Sequence, residues 1–127
     1  HIDLIGGLSS REVAVDFLKS TTEADGVIST KPGIIKQAKE LGLFAVMRFF
    51  VIDSIAFESI RRQTESVHPD MIEVLPGVMP KIIARICTHS RTPVIAGGLI
   101  ADKEDIMAAL SAGAVCISTT NQEVWFM

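Results

Sequence analysis

TPVIAGGLI, residues 92–100, is the stretch that decides the fold of this chain. A proline-led apolar run that closes on Gly97 and Gly98 predicts a buried parallel strand with a tight, amide-rich turn at its carboxyl end. The next apolar run, AVCISTT at residues 114–120, ends in hydroxyl side chains. Backbone amides and hydroxyls at the ends of two neighbouring strands form an environment that binds an anion such as phosphate.

The same alternation of apolar runs and amphipathic segments extends through the rest of the chain. Short apolar runs predict strands at residues 2–5, 26–28, 44–52, 71–75, 92–100 and 114–120. Apolar residues at helical spacing predict helices at 11–20, 32–41, 79–88 and 103–112, another that starts at the cap Asp53-Ser54, and the beginning of a last one in 122–127. Six βα units therefore repeat about every 20 residues without long linkers.

This repeat predicts an α/β fold with an all-parallel sheet, and two architectures fit it: a closed eight-stranded barrel and an open doubly wound sheet. The barrel is favoured because polar and glycine-rich residues follow every strand, and because the last two units end in Gly-Gly and Ser-Thr, as in phosphate-binding barrels. We therefore expect one domain over residues 1–127, a (β/α)8 TIM-type barrel with strands 3–8 present. On this interpretation the first two βα units, about 40 residues, are missing.

Composition limits the function classes. With 48% hydrophobic and 21% charged residues, the 127-residue chain can bury a core, and its net charge of −3 produces no overall attraction to nucleic acid or an anionic membrane. Cys87 and Cys116 lie in apolar runs without metal-ligand spacing, which predicts reduced core thiols in a cytoplasmic protein. No apolar stretch reaches the length of a membrane span, and no metal or organic cofactor motif is legible.

The residues able to carry chemistry are expected at the carboxyl ends of the strands, where the mouth of a barrel lies. Arg48 and Glu73 are lone charges in consecutive apolar strands, so they either form a buried ion pair or face a ligand. Asp3 is another strand-end carboxylate on this interpretation. Gly97 and Gly98 either admit a phosphate to their amides or only make a tight loop, and the nearby Ser118 and Thr119 favour the phosphate.

These residues leave two function classes open. A phosphosugar-converting enzyme, an isomerase or a synthase, would need a general base, and Asp3 and Glu73 are the strand-end carboxylates available. A ligand-sensing barrel would need only the binding groups. A structural fragment with a vestigial site is a third, weaker alternative. His68, before a proline, and His89, at a helix end, are expected at the surface.

Six segments together resemble the glycerol-3-phosphate-responsive antiterminators, also called glycerol uptake operon antiterminator regulatory proteins. The most specific part is EVLPG followed by IAGGLI. The segments run in order along nearly the whole chain: HIDLI (1–5), GVIST (26–30), VMRFFVID (46–53), MIEVLPGVMP (71–80), PVIAGGLI (93–100) and AVCISTTNQEVW (114–125).

The resemblance implies a phosphate-binding (β/α) barrel that binds glycerol 3-phosphate as an effector and an mRNA leader as a partner, preventing premature transcription termination. It implies a regulator of glycerol genes rather than an enzyme, in the cytoplasm, with no membrane partner and with a homo-oligomer left open. The implied phosphate loops are Gly97, Gly98, Ser118 and Thr119, and the implied glycerol end of the pocket is Asp3, Arg48 and Glu73.

The acidic balance leaves no obvious RNA surface in the sequence. Basic residues on two predicted helices are the candidate phosphate contacts for RNA, although solvated helix faces also explain them. These candidates are Arg61, Arg62, Lys81 and Arg85.

Overall fold

The computed structural model describes residues 1–127. Five parallel strands form one sheet, and helices connect each strand to the next. The strands are β1 (Gly26–Ser29), β2 (Phe44–Phe50), β3 (Met71–Leu75), β4 (Val94–Gly97) and β5 (Cys116–Ser118). The α-helices are α1 (Val13–Thr21), α2 (Pro32–Glu40), α3 (Ser54–Val67), α4 (Pro80–His89) and α5 (Lys103–Ser111), and 3₁₀ turns lie at Ile2–Leu4 and Gln122–Phe126.

The strands lie in the order β1-β2-β3-β4-β5, so each new strand is added on the same side of the one before it. A doubly wound sheet reverses its strand order at a switch point, whereas a barrel adds strands in one direction. The observed order therefore favours the winding of a barrel. The α/β class and the parallel sheet are confirmed, with five strands rather than the six that were predicted.

The first predicted strand is wrong. Residues 2–5 contain a 3₁₀ turn, because Leu4 N–H and Ile5 N–H donate to the nearby carbonyls of His1 and Ile2 instead of pairing with β1. The Asp3 side chain bonds to the end of β1 and holds the turn there. A short apolar run with one carboxylate has no signal that separates this turn from a strand.

The core lies between the helices and one face of the sheet. Ala45, Met47 and Phe49 alternate along β2 and are buried against helical residues such as Ile35 and Ile83. The intervening residues of each strand point to the opposite face, since side chains alternate along a strand. That opposite face carries the charges that interrupt the apolar strands.

The predicted helix starts at Asp53 and Asp102 are confirmed. The Asp53 carboxylate accepts a hydrogen bond of 2.8 Å from Ala56 N–H, and the Asp102 carboxylate accepts one of 2.9 Å from Asp105 N–H. The last two strands are shorter than the apolar runs that predicted them, because the chain turns immediately after Gly97 and Ser118. Every helix is too short or too polar to cross a membrane.

Candidate functional site

The candidate site lies on the sheet face that points away from the helices. Arg48 pairs in register with Glu73 on β2 and β3, and Gly97 pairs with Ser118 on β4 and β5. Glu73 also pairs with Ile95, two residues before Gly97, so all four residues share one face. Four residues that are far apart in sequence therefore meet along one edge of this face.

Arg48 and Glu73 form an ion pair, the first of the two alternatives for these residues. Arg48 Nε lies 2.6 Å from Glu73 Oε2, and the side chains are 17% and 1% exposed. A buried carboxylate needs such a partner because its desolvation is costly. Water therefore reaches part of the Arg48 side chain but almost none of Glu73.

The glycine pair has a structural reason at each position. A Cβ on Gly97 would lie 2.7 Å from Glu73 Oε1, so the carboxylate occupies the space that any side chain would need. Gly98 has φ +77°, a conformation that other residues rarely adopt, and its carbonyl accepts a 3.0 Å hydrogen bond from Gly77 N–H. The turn is thus fixed by Glu73 on one side and by the loop after β3 on the other.

Thr119 ties the turn after β5 to the turn after β4. Its hydroxyl donates to Ile100 O at 3.1 Å and accepts from Asn121 N–H at 3.1 Å. Asn121 Nδ2 donates to Ala101 O, and Trp125 Nε1 donates to the Thr119 carbonyl. The two turns that the sequence paired are therefore bonded together, and Ser118 stands half-buried beside them.

Asp3 lies in the 3₁₀ turn rather than at a strand end, which corrects its predicted position. Its carboxylate accepts hydrogen bonds from Ser29 Oγ at 2.7 Å, Thr30 N at 2.8 Å and Thr30 Oγ1 at 3.1 Å. Burial raises the pKa of Asp3, but these bonds and the charge of Lys31 outweigh it, so the pKa lies below 3.8. Asp3 is bound to β1, while Arg48 and Glu73 are bound to each other.

The four arginine and lysine candidates for RNA divide into two groups. Arg61 and Arg85 line a cavity of about 600 Å³ between α3 and α4, and Arg62 and Lys81 are exposed on the same helices outside its lining. No pattern in the sequence predicted this cavity, because the distance between two helices is not encoded in the periodicity of either one.

The cysteines and histidines are distributed over the chain rather than clustered. Both thiols are free, but Cys116 is exposed on the last strand, so its predicted place in the core is wrong. The residue is exposed, but the partial burial of its thiol, and then the charge of Glu73, raise the pKa of Cys116, which makes it a poor nucleophile. His68 and His89 are exposed as predicted, and no group of three metal-binding side chains is present.

Comparison with known proteins gives a match over almost the entire chain. The model of the family described as "Glycerol-3-phosphate responsive antiterminator" matches residues 1–125. The uncharacterized protein YgcP of Escherichia coli K12 is 49% identical over 125 residues, which are 98% of this chain and 65% of that protein. The chain thus spans slightly less than two thirds of the length of this relative.

Two solved structures combine high similarity in sequence and in fold. The glycerol uptake operon antiterminator regulatory protein from Listeria monocytogenes 4b F2365 is 37% identical with a TM-score of 0.95, covering 99% of this chain and 68% of that one. A glycerol uptake operon antiterminator-related protein from Thermotoga maritima MSB8 is 38% identical with a TM-score of 0.86, covering 99% and 71%.

More distant structural neighbours are TIM-barrel enzymes. Orotidine 5'-phosphate decarboxylase from Pyrococcus horikoshii OT3, for example, is 23% identical with a TM-score of 0.63 over 88% of this chain and 61% of that one. At that identity the likeness concerns the fold alone. The sheet therefore has a TIM-barrel-like fold, and this likeness gives no information about the chemistry of the chain.

Proposed function

Since this chain belongs to the glycerol-3-phosphate responsive antiterminator family, we propose that it senses glycerol 3-phosphate and regulates transcription of glycerol genes by binding an mRNA leader. The observation that carries the proposal is the register of Gly97 with Ser118 at the carboxyl ends of β4 and β5. These ends are where barrels of this kind bind phosphate groups.

The proposed phosphate site consists of Gly97, Gly98, Ser118 and Thr119. The Glu73 carboxylate occupies the space where a side chain at Gly97 would lie, so the turn offers a ligand its backbone amides rather than a side chain. The Thr119 hydroxyl is engaged with Ile100 and Asn121. We therefore expect the phosphate to contact backbone amides of both turns and the hydroxyl of Ser118.

The proposed glycerol end of the pocket is Arg48 with Glu73, and its position follows from the shared sheet face. Arg48 uses Nε for Glu73, which leaves its other guanidinium nitrogens able to donate to a ligand oxygen. Asp3 is engaged by Ser29 and Thr30, so its contribution is to shape the rim beside β1.

The same contacts support a sensor over an enzyme. A general base must have a free lone pair within reach of the substrate proton. The carboxylate of Glu73 is 1% exposed and paired, and that of Asp3 accepts three hydrogen bonds. Asp3 is engaged, and Glu73 keeps only Oε1, beside Gly97, free of hydrogen bonds. Together with the family match this favours ligand binding without turnover, which we propose.

The proposed site is tested by thermal unfolding with glycerol 3-phosphate. A ligand present at about 100 times its dissociation constant stabilises the folded state by about 2.7 kcal/mol. For a domain of this size that raises Tm by roughly 10 °C. Glycerol and inorganic phosphate, added separately, are expected to raise it less.

Gly98→Asp is expected to abolish this shift, because a side chain at φ +77° is strained and would crowd Leu75, which shifts the turn whose amides the phosphate would contact, and because it adds a negative charge there. Gly42→Asp is the matched control: Gly42 also has positive φ but lies beyond α2, at the other end of the sheet. Ser118→Ala, a milder change, is expected to reduce the shift. An unshifted wild-type protein at millimolar ligand would refute the effector, whereas an equal shift in wild type and Gly98→Asp would refute only the location.

A further inference from the structure

We infer that the cavity between α3 and α4 is the RNA-binding site and that it takes single-stranded RNA, with phosphates on its arginines and one base on Arg85. The inference rests on the proposed function, in which an mRNA leader is the partner. The cavity lies on the outer, helical side of the sheet and extends to the amino ends of β3 and β4, away from the proposed phosphate site.

The charge of the cavity is opposite to that of the chain. Its lining contains three arginines, Arg61, Arg85 and Arg91, against one acidic residue, Glu65. The whole chain carries a net charge of −3. A positive cavity on a negative protein attracts a polyanion locally, because the field is set by the nearest charges within about 10 Å at ordinary salt concentration.

The position of Arg85 against an aromatic ring suits its guanidinium to stacking with an RNA base. Its guanidinium carbon lies 4.4 Å from the centre of the Phe57 ring, so the ring fixes the guanidinium on one side. RNA-binding proteins stack unpaired bases on aromatic rings and on guanidinium planes. Phe57 and Arg85 also line a second cavity of about 310 Å³ nearer the carboxyl ends of the strands, so the groove continues past this pair.

Thr64 is an independent observation that points to a ligand. Its side chain lines the larger cavity, the residue is 8% exposed, and its hydroxyl has no hydrogen-bond partner within the chain. A buried hydroxyl without a partner is costly, and native proteins rarely retain one. Because the oxygen itself is covered in the free chain, a sugar hydroxyl or phosphate oxygen of RNA would satisfy it only after the side chains that cover it move aside.

The two groups of basic residues allow a matched test. The double variant Arg61→Gln/Arg85→Gln removes two charges from the cavity. The double variant Arg62→Gln/Lys81→Gln removes two charges from the same two helices outside it. Both change the net charge equally, so general electrostatic attraction affects them equally.

The probe is fluorescein-labelled RNA that the wild-type full chain has selected from a random single-stranded pool, and binding is measured by anisotropy between about 50 and about 200 mM KCl. Each lost phosphate contact weakens binding to single strands about 5-fold near 0.1 M salt. The cavity variant should therefore bind at least about 25-fold more weakly, about 5-fold from the Arg61 phosphate contact and about 5-fold or more from the base stacked on Arg85, with a salt slope shallower by about 0.7. The control variant, which removes the other two basic residues that the sequence offered as RNA contacts, should lose only the general attraction that both variants lose equally.

The acidic residue gives a change in the opposite direction. Glu65→Gln removes the negative charge beside Arg61, whose Nε lies 3.4 Å from Glu65 Oε1. It should therefore strengthen RNA binding by about 5-fold or less. Circular dichroism and thermal unfolding of every variant verify that the fold is intact.

Each remaining outcome decides between the proposals. Equal loss in both double variants, or equal binding by wild type and the cavity variant, would overturn the assignment of the cavity and leave the proposed function standing. Release of the RNA by millimolar inorganic phosphate at constant ionic strength would identify a small-anion site and also overturn it. Failure of the wild-type chain to select any RNA would refute RNA binding itself.

Discussion

The Arg48–Glu73 pair allows a double-mutant cycle with a large expected coupling. Glu73 is 1% exposed and its Oε2 lies 2.6 Å from Arg48 Nε, whose side chain is 17% exposed. Removing one member of a buried ion pair costs about 3 to 5 kcal/mol, because the other charge is left without a partner. The two single variants should differ, since the two charges differ in their access to water.

Arg48→Met leaves the Glu73 carboxylate alone in a site closed to solvent, so we expect a loss of about 3 to 5 kcal/mol in the free energy of unfolding. Glu73→Gln leaves the Arg48 guanidinium, which water reaches, and Gln keeps an acceptor oxygen. We therefore expect the lower value of about 2 to 3 kcal/mol for Glu73→Gln. The double variant removes both charges and should lose only about 1 to 3 kcal/mol.

Urea unfolding followed by circular dichroism measures all four corners of the cycle, and equal slopes verify that the unfolded states are comparable. The expected coupling is at least about 2 kcal/mol. Single losses that add to the double loss within about 0.5 kcal/mol would show that the two side chains do not interact in solution. That result would return Arg48 to the other alternative, a residue held for a ligand alone.

Two further predictions concern a hydroxyl and a carboxylate. Thr64→Val should leave the free energy of unfolding unchanged or raise it by up to about 1 kcal/mol, since the hydroxyl that it removes has no hydrogen-bond partner. The same variant should bind the selected RNA more weakly. A loss of stability above about 1 kcal/mol would reveal a hydrogen-bond partner for the hydroxyl. The pKa of Asp3 lies below 3.8 in the fold, so its ionised form stabilises the protein above that pH, and the stabilisation is lost as pH falls through the folded-state pKa. Asp3→Asn should therefore flatten the acid side of a stability profile relative to wild type. A variant profile parallel to that of wild type would contradict the contribution of Asp3.

The elements were largely predictable because each is encoded locally. Met71–Leu75 is a strand with the predicted bounds, and Asp53 and Asp102 cap the helices that follow them. An apolar run between turn residues, or a carboxylate before an amphipathic run, carries its signal within a few positions. Residues 2–5 were the exception. This short apolar run forms a 3₁₀ turn instead of a strand, and the Asp3 carboxylate within it is bound by Ser29 and Thr30, which are distant in sequence.

The composition of the candidate site could be proposed from the sequence, and its arrangement only in part. Strand ends rich in glycine and hydroxyl groups pointed to Gly97, Gly98, Ser118 and Thr119. The sequence left two roles open for Glu73, because a single charge within an apolar strand is expected both for an ion pair and for a ligand contact. The register of β2 with β3 decided that Glu73 meets Arg48, and the packing against β4 decided that its carboxylate occupies the space beside Gly97.

The sequence by itself determined the alternation of strands and helices, the chemistry at the strand ends and the family, because these depend on residue types at short spacing. Only the tertiary structure decided which side chains meet. Strand register brings Arg48 to Glu73 and Gly97 to Ser118, and the placement of α3, α4 and the loop before β4 brings three arginines, Phe57 and a buried hydroxyl around one cavity. These contacts join residues far apart in the chain, and no local pattern encodes the distance between two elements that pack only after folding.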